Sequence, residues 1–326
     1  MHLCLILSPS AKGLHFSVFY SISTPLLAIM SEADINIKLQ CQFGYQSVQV
    51  HPSQKLGSGS YGSVVRATLD DLPCAAKILH QVFFVSDDPA SPDFATRFDQ
   101  ECALLQVLKH PCIVQFLGVV EDPQNQRPIL LMELMDESLT NFLERSSYSL
   151  PYYIQVNITH DITLALAYLH KSDIIHRDLS SNNVLINAGS RAKVTDFGMS
   201  KVVDVNPRMS RNKATQCPGT LPYMPPEALR ARPRYSDKLD TFSTGVLIIQ
   251  IITHLYPNPT DAEMIMDDPT APTGEKIVLV PEIERRKNDI SKVPSNHPLL
   301  PTAKHCLKDQ DKERPSASSS ANVWHN

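Results

Sequence analysis

Acidic and amide side chains recur within one short stretch, residues 176–198. Asp178 and Asn183 lie in the sequence His-Arg-Asp-Leu-Ser-Ser-Asn-Asn at 176–183, and Asp196 begins an Asp-Phe-Gly sequence 18 residues after Asp178. Carboxylate and amide oxygens are the ligands that Mg²⁺ prefers. A carboxylate can also accept or orient the proton of a hydroxyl group. The stretch therefore offers a metal site and a proton acceptor, although either short motif alone could arise by accident.

Glycine is scarce, with 11 residues in 326, yet three glycines fall together in Gly-Ser-Gly-Ser-Tyr-Gly-Ser-Val at 57–64. Because glycine has no Cβ, the backbone N–H groups of such a loop can approach phosphate groups closely. A β-branched segment follows, so the loop joins two strands, whereas a dinucleotide-binding loop is followed by a helix. From this motif alone, an ordinary hairpin loop is the stronger interpretation.

Lys77 ends the sequence Cys-Ala-Ala-Lys at 74–77, in an apolar segment. Strand alternation directs this lysine into the expected cleft. A buried ammonium group needs a partner, and Glu101 on the following predicted helix is the candidate. The alternative is a lysine at a strand edge that keeps its charged end in water.

Predicted strands come before predicted helices along the chain. Alternation and β-branched residues predict strands at 48–56, 63–69, 74–79, 113–120 and 129–134; apolar residues at helical spacing predict helices at 93–109, 138–145 and 151–170. This order predicts an α+β fold: a small antiparallel β-sheet lobe with one helix, about 46–133, joined to a larger, mainly helical lobe, about 136–318. The cleft between two such lobes is the usual place for a ligand.

The two ends of the chain and one internal segment lack a clear pattern. Residues 1–45 are expected to form a poorly ordered N-terminal extension, and 319–326 a short tail. Within the extension, 13–30 contains no Asp, Glu, Lys or Arg, which leaves a signal peptide or anchor open, but its Ser, Thr and Pro content disfavours a membrane span. The polar segment 261–298 is expected to be helix and loop, and the serine-rich segment 316–321 to fray.

Composition excludes several classes of protein. Hydrophobic residues make up 42% of the chain, which is enough for a sizeable core. The net charge is 30 − 34 = −4, and without a basic excess a dedicated nucleic-acid-binding protein is disfavoured. The seven cysteines include no Cys-x-x-Cys pair, so neither a disulfide framework nor a structural zinc site is indicated. Buried thiols in a reducing cytosol are expected, and the predicted location is cytoplasmic.

Taken together, the motifs resemble the signature set of a protein kinase catalytic domain, from about 48 to 314. Each is weak alone, but they occur in the right order at workable spacings. Further similar segments are His-Pro-Cys-Ile-Val at 110–114, Leu-Met-Glu-Leu-Met at 131–135, Pro-Pro-Glu at 225–227, Asp-Thr-Phe-Ser-Thr-Gly at 240–245 and Lys-Glu-Arg-Pro at 312–315. The resemblance also implies an ion pair between Glu227 and Arg314.

The resemblance implies a role for each candidate residue, with ATP and Mg²⁺ as cofactors. Asp178 would accept or orient the substrate proton, Lys77 held by Glu101 would contact the α- and β-phosphates, and Asn183 and Asp196 would bind Mg²⁺. The nucleotide would be enclosed by Leu56, Gly57, Gly59, Gly62, Val64, Ala75, Lys77, Met132, Glu133, Met135 and Leu185. An apolar column joining the lobes would consist of Leu105, Phe116, His176 and Phe197.

The segment Gly-Thr-Leu-Pro-Tyr-Met-Pro-Pro-Glu at 219–227 resembles that of serine/threonine kinases, most like their tyrosine-kinase-like group. Thr220 would lie near Asp178. Ser180, however, stands where serine/threonine kinases usually carry a lysine that contacts the transferring phosphate. The alternatives are a catalytically weak or inactive kinase-like scaffold and a tyrosine or dual-specificity kinase. The expected partners are protein substrates and a second copy for autophosphorylation, without nucleic acid or membrane.

Overall fold

The computed structural model describes residues 4–8, 15–19, 43–59, 62–80, 102, 104–122, 124, 127–146, 148–197, 201–202, 220–228, 236–257, 265–267, 276–278 and 289–322. The chain divides into two compact units, residues 1–38 and 39–326. In the first unit, strands β1 (Cys4–Ser8) and β2 (His15–Phe19) form an antiparallel hairpin. Sequence analysis did not anticipate this hairpin, and the remainder of the stretch 13–30 lies outside the described residues. No helix in the described part of the chain is both long and apolar enough to cross a membrane.

The second unit contains the predicted antiparallel sheet. Its five strands lie in the order β3, β4, β5, β7, β6, and each neighbouring pair is antiparallel. Their bounds are β3 (Val48–Gly59), β4 (Gly62–Leu69), β5 (Leu72–Leu79), β6 (Phe116–Asp122) and β7 (Arg127–Glu133). The five strand predictions are confirmed, with ends displaced by three residues or fewer.

The largest displacement at a strand start has a clear physical reason. Residues 113–115 were predicted to begin the strand that starts at Phe116. Ile113 instead bridges Val194, and the N–H of Val114 donates to the carbonyl oxygen of Val194 at 2.9 Å. The chain is thus tied to the second lobe before it enters the sheet of the first.

A mainly helical region follows, as predicted, although only its helices near 138–145 and 151–170 were predicted individually. Its helices are α1 (Leu139–Arg145), α2 (Tyr152–Lys171), α3 (Lys238–Thr253), α4 (Leu300–Cys306) and α5 (Ala317–Asn322). Of the predicted helix 93–109, the described part is helical at 102 and 104–107. The fold is therefore α+β with a sheet lobe followed by a mainly helical lobe; the boundaries proposed at 45, 133, 136 and 318 stay predictions.

Short strands complete the second lobe around the two acidic motifs at 176–183 and 196–198. They are β8 (Glu137–Ser138), β9 (Ile174–Ile175), β10 (Val184–Ile186), β11 (Ala192–Val194) and β12 (Lys201–Val202). β11, β10 and β8 form one sheet, and β12 pairs with β9. These pairings place the segments before and after the two acidic motifs side by side.

Two sequence predictions about the second lobe were wrong. The segment 261–298 contains a hairpin of β13 (Ile265–Asp267) and β14 (Lys276–Val278), because its β-branched residues favour paired strands. The serine-rich segment 316–321 forms α5 and packs against α2. Ser316 Oγ accepts from the N–H of Ser319 (3.1 Å) while Ala317 and Ser320 are buried, so the serines stabilise this helix.

Helix α3 lies at the centre of the second lobe. Every residue from Leu239 to Ile252 is buried, so the helix contacts protein on all sides. Its neighbours include α2 and α4. Two polar residues on this helix, Asp240 and Gln250, are buried with it and form hydrogen bonds to the site described below.

The expected ion pair between Glu227 and Arg314 is confirmed. The two guanidinium Nη atoms bind the two carboxylate oxygens, with Nη2 to Oε2 at 2.9 Å. The Arg314 side chain is fully buried, its Nε donates to the Lys308 oxygen (2.7 Å), and it lies over the Phe242 ring at 4.9 Å. The pair joins the turn at 226–228 to the segment before α5.

Replacing Arg314 by leucine should lower the free energy of unfolding by about 3–5 kcal/mol, because Glu227 is then left as an unpaired buried charge. Denaturant unfolding measures the change. The matched control is Arg145→Leu, which removes an ion pair with Glu137 whose arginine side chain is 63% exposed; it should alter stability little. Equal losses in the two variants would contradict the structural role given to Glu227 and Arg314.

Candidate active site

Neutral donors hold the carboxylate of Asp178 from two sides. Nδ2 of Asn183 donates to the Asp178 backbone oxygen (2.8 Å) and to Oδ2 (3.2 Å). The backbone N–H and the hydroxyl of Thr220 donate to Oδ1 at 2.8 and 2.7 Å. The expectation that Thr220 lies near Asp178 is confirmed. Because both oxygens are fixed, the carboxylate is oriented before any substrate arrives.

Asp240 on α3 holds the backbone that carries Asp178. Its fully buried carboxylate accepts from the N–H groups of His176 and Arg177, each at 2.9 Å, and lies 2.8 Å from Nε2 of His170. Arg177 has a left-handed backbone conformation, φ 70°, which costs free energy for a residue with a side chain. The two N–H bonds stabilise this unusual turn.

The environment of Asp240 keeps it charged. Burial alone would raise its pKa, but the hydrogen bond and charge of His170, the charge of His176 and the Arg177 N–H together lower the pKa below the ordinary aspartate value. The carboxylate is therefore ionised throughout the neutral range, with its lone pairs available to the three donors.

His176 links the loop 176–183 to the segment that contains Asp196. Its Nδ1 accepts from the N–H of Asp178 (3.3 Å), and its Nε2 lies 2.9 Å from the Thr195 oxygen, to which it donates. The ring also meets Phe197 edge-on, with centroids 5.2 Å apart. The other residues expected in this apolar column are buried as well: Leu105 and Phe116.

Lys77 and Asp196 face each other across the two lobes. Nζ of Lys77 lies 3.2 Å from Oδ1 of Asp196 in an ion pair in which the lysine side chain is mostly buried. Asp196 has φ 63°, a left-handed conformation that turns its side chain away from the strand before it. Glu101, the expected partner of Lys77, lies outside the described residues, so that pairing stays a prediction.

One face of the sheet carries several of the residues predicted to enclose a nucleotide. In the strand register, Val64 lies opposite Lys77 and Ala75 lies opposite Met132, so these four side chains share a face. Gly62 is required close by, since a Cβ there would collide with the carbonyl oxygen of Ile78. The remaining predicted positions on strands are Leu56, Gly57, Gly59 and Leu185.

The segment after β7 presents backbone groups at the edge of this face. The carboxylate of Glu133 is turned aside, because Nζ of Lys193 binds its oxygens at 2.7 and 2.8 Å and the N–H of Gln115 donates to Oε1 at 2.6 Å. The N–H of Met135 forms no hydrogen bond within the described ranges. A backbone donor is therefore available where the resemblance places the edge of adenine.

Sequence reasoning missed several groups that support the site. Asp161 on α2 binds the Arg191 guanidinium, the Ala192 N–H (3.0 Å) and the Cys112 thiol (3.7 Å). Burial and the charge of Asp161 raise the pKa of Cys112 to about 12, so the thiol stays neutral. These partners are separated by tens of residues, and no local pattern in the sequence links them.

Asn183 and Asp196 fit a magnesium ion by the chemistry of their donors. The amide nitrogen of Asn183 donates to Asp178, so the side-chain oxygen is the atom of Asn183 that could bind a metal ion. The Asp196 carboxylate is 40% exposed and can exchange partners. Hard oxygen donors of this kind suit Mg²⁺, which retains several waters and is completed by phosphate oxygens.

A sheet lobe, a helical lobe and an oriented aspartate in a loop of the helical lobe, between β9 and β10, define a two-lobed kinase-like architecture. The comparison with known families agrees: residues 50–324 match the Protein kinase domain family. The chain belongs to that family, and the resemblance derived from the motifs is confirmed.

Curated relatives are similar over most of this chain. Probable serine/threonine-protein kinase kinX of Dictyostelium discoideum is 31% identical over 78% of this chain and 23% of its own length. Serine/threonine-protein kinase TNNI3K of Mus musculus is 29% identical over 79% of this chain and 32% of its own length. Probable serine/threonine-protein kinase kinY of Dictyostelium discoideum is 33% identical over 68% and 38%, respectively. The chain thus spans well under half of the length of these relatives.

Asp240→Asn should reduce phosphate transfer roughly 100-fold, because an amide presents one acceptor oxygen where the carboxylate presents two and the Asp178 backbone shifts. Rates of transfer from labelled ATP measure this loss. Asp311→Asn, at a half-buried position in the turn before Arg314, is the control and should keep full activity. Normal transfer by the Asp240 variant would show that Asp178 needs no such anchor.

The same variant tests the charge of Asp240. Because the folded-state pKa is lowered, the carboxylate stabilises the fold above the unfolded-state pKa of about 4 and loses this contribution as pH falls below it. The stability difference between the parent and Asp240→Asn should therefore be largest near neutral pH and shrink in acid. A difference that is constant with pH would contradict an ionised Asp240.

Proposed function

We propose that the chain is an ATP-dependent protein kinase that transfers the γ-phosphoryl group of Mg-ATP to serine and threonine hydroxyls of proteins. The observation that carries the proposal is the pair of contacts on Asp178, one from Asn183 and one from Thr220. These contacts orient the Asp178 carboxylate towards the place where the segment 219–227 would position the acceptor hydroxyl of a protein substrate. Phosphoryl transfer needs such positioning more than covalent help from the protein.

The sheet face would hold the nucleotide. Val64, Ala75 and Leu185 would contact the adenine, and the backbone of Glu133 and Met135 would bind its edge. Lys77 would leave Asp196 for the α- and β-phosphates, with Glu101 as its second partner. The other enclosing positions are Leu56, Gly57, Gly59, Gly62 and Met132.

Asn183 and Asp196 would hold Mg²⁺ against the phosphates. When bound, the ion neutralises charge on the β- and γ-phosphate oxygens. Asp196, which pairs with Lys77 at 3.2 Å in the structure, would exchange this partner for the ion when Mg-ATP binds.

The transfer step balances as follows. The acceptor oxygen forms a bond to the γ-phosphorus, the bond from that phosphorus to the bridging oxygen breaks, and ADP departs with the electron pair. The acceptor proton passes to Asp178 and then to solvent. Thr220 and Asn183 keep the carboxylate aligned during this step.

Serine/threonine specificity is supported by the segment 219–227 and by the similarity to relatives named as serine/threonine-protein kinases. In this proposal the enzyme acts in cellular signalling in the cytoplasm. Its partners are protein substrates and a second copy of the chain, with which it associates for autophosphorylation. The chain would be switched by phosphorylation of Ser210 or Thr215, both of which lie outside the described residues. A kinase-like scaffold without activity and a tyrosine-specific enzyme are the alternatives.

Asp178→Asn should abolish phosphate transfer while leaving ATP binding intact, because the amide cannot accept the proton. The full chain is incubated with labelled ATP and Mg²⁺ and a generic basic protein, and the labelled amino acid is identified. Asp71→Asn, in the exposed β4–β5 turn at φ 66°, is the matched control and should retain activity.

The outcomes separate the candidates. Label on serine or threonine that disappears only in the Asp178 variant supports the proposal. Label on tyrosine would show that the chain is a tyrosine-specific kinase. No transfer by the parent chain, with ATP binding intact by thermal shift, identifies a scaffold and refutes the proposal.

A further inference from the structure

The loop that contains Asp178 contacts the segment 220–223 at two points. At the first, the N–H and the hydroxyl of Thr220 donate to Oδ1 of Asp178 at 2.8 and 2.7 Å. At the second, Oγ of Ser181 lies 2.8 Å from the hydroxyl oxygen of Tyr223. Ser181 follows Asp178 by three residues, just as Tyr223 follows Thr220 by three residues. The two contacts therefore hold the loop and the segment side by side in one alignment.

The second contact belongs to a buried chain of hydrogen bonds. Ser181 is fully buried, and the Tyr223 hydroxyl donates to Oε1 of Gln250 on α3 at 2.7 Å. A hydroxyl has one proton, so Ser181 is the donor in its contact with Tyr223. Thr140 on α1 in turn donates to Ser181 at 2.6 Å, and it shares this proton with Oδ1 of the exposed Asn182 at 2.8 Å. The chain links helix α1, the loop and helix α3.

Tyr223 is fixed firmly to helix α3. Besides the bond from its hydroxyl to Gln250, its backbone oxygen accepts from Oγ of Ser243 at 2.8 Å, and its side chain is 1% exposed. These contacts hold the segment 220–223 to the helix. Ser181 connects this fixed point with the loop through a contact that does not use Asp178.

The two contacts differ in their dependence on the charge of Asp178. The bonds from Thr220 are made to a carboxylate, and such charge-assisted hydrogen bonds are about twice as strong as neutral ones. In the proposed reaction, Asp178 accepts the proton of the acceptor hydroxyl, which neutralises its charge and weakens the bonds from Thr220. The contact between Ser181 and Tyr223 joins two neutral hydroxyls, so its strength does not depend on that proton.

We infer that Ser181 is a positioning residue for phosphate transfer: its hydroxyl keeps the segment 220–223 aligned with the loop while Asp178 holds the acceptor proton. This inference rests on the proposed function. Without the Ser181 hydroxyl, the alignment depends on the bonds from Thr220, which weaken during the step itself. The acceptor then loses its orientation towards the γ-phosphate, whereas the nucleotide, which other residues enclose, binds as before.

Ser181→Ala in the full chain tests the inference. Thr140 retains Asn182 and Tyr223 retains Gln250, so the substitution leaves neither hydroxyl without a partner. Transfer is measured with labelled ATP, Mg²⁺ and a generic basic protein. The kcat should fall about tenfold, while the KM for ATP should stay at the parent value.

Ser320→Ala is the matched control. It makes the same substitution at another buried serine, on α5, whose hydroxyl donates to the Ser316 oxygen at 3.2 Å. This helix packs against α2 and contributes nothing to the chain of hydroxyls, so the variant should keep the parent kcat and KM.

Tyr223→Phe removes the same contact from its other end. It should show the same combination of a lower kcat and an unchanged KM for ATP. Because the two substitutions delete one shared contact, the variant that carries both should lose about tenfold, as either does alone, rather than about a hundredfold. If Ser181→Ala does not fold, Tyr223→Phe decides by itself.

The results distinguish this inference from the proposed function. A parent-like kcat in Ser181→Ala overturns the inference and leaves the kinase intact. A KM for ATP that rises together with the loss of kcat also overturns it, because Asn183 in the same loop would then be displaced and the role of Ser181 would be structural. Losses that multiply in the double variant overturn it as well. No transfer by the parent chain, with ATP bound, refutes the proposed function and the inference with it.

Discussion

One buried carboxylate, that of Asp240, sets the backbone geometry on which the site depends. It lies on helix α3, which is buried from Leu239 to Ile252, and accepts from the consecutive N–H groups of His176 and Arg177 in the loop that contains Asp178. A left-handed residue such as Arg177 costs about 1–3 kcal/mol and persists only where surrounding structure holds it. The buried charge is stabilised because its donors are already in place. Without this contact, the loop would relax and Asp178 would lose its direction.

The two acidic groups of the cleft have different electrostatic settings. Asp196 is paired with Lys77 across the lobes, so this part of the cleft carries both signs of charge. Asp178 is held by an amide and a hydroxyl, and the network behind it, from Thr140 through Tyr223 to Gln250, is neutral. Buried neutral networks orient a loop without adding the desolvation cost of further charges. This division suits the roles proposed for the two groups, Asp178 as proton acceptor and Asp196 as a ligand of Mg²⁺.

Much of the fold and of the candidate site followed from the sequence. The five strands of the sheet and the helices at 138–145 and 151–170 were predicted, because strand alternation and helical spacing are encoded within a few residues. The ion pair of Glu227 with Arg314 was expected from the resemblance to protein kinases, whereas helix α3 was not predicted. Two segments were predicted wrongly. The proline and polar residues of 261–298 suggested helix and loop, but its β-branched residues form the hairpin β13–β14. The serines of 316–321 suggested a frayed end, but Ser316 caps helix α5. Composition alone does not reveal which side chains will find a partner.

The sequence by itself determined which chemical groups are present. These are three glycines in a strand-to-strand loop, a lysine within an apolar segment, and Asp178, Asn183 and Asp196 in order. These are local properties, since each motif lies within one short segment. Only the tertiary structure decided how they are oriented. The anchor Asp240 lies 62 residues after Asp178 in the chain, and Thr220 lies 42 residues after it. Contacts at such separations form when helices and loops pack, and no spacing rule encodes them, because their energy depends on burial and direction.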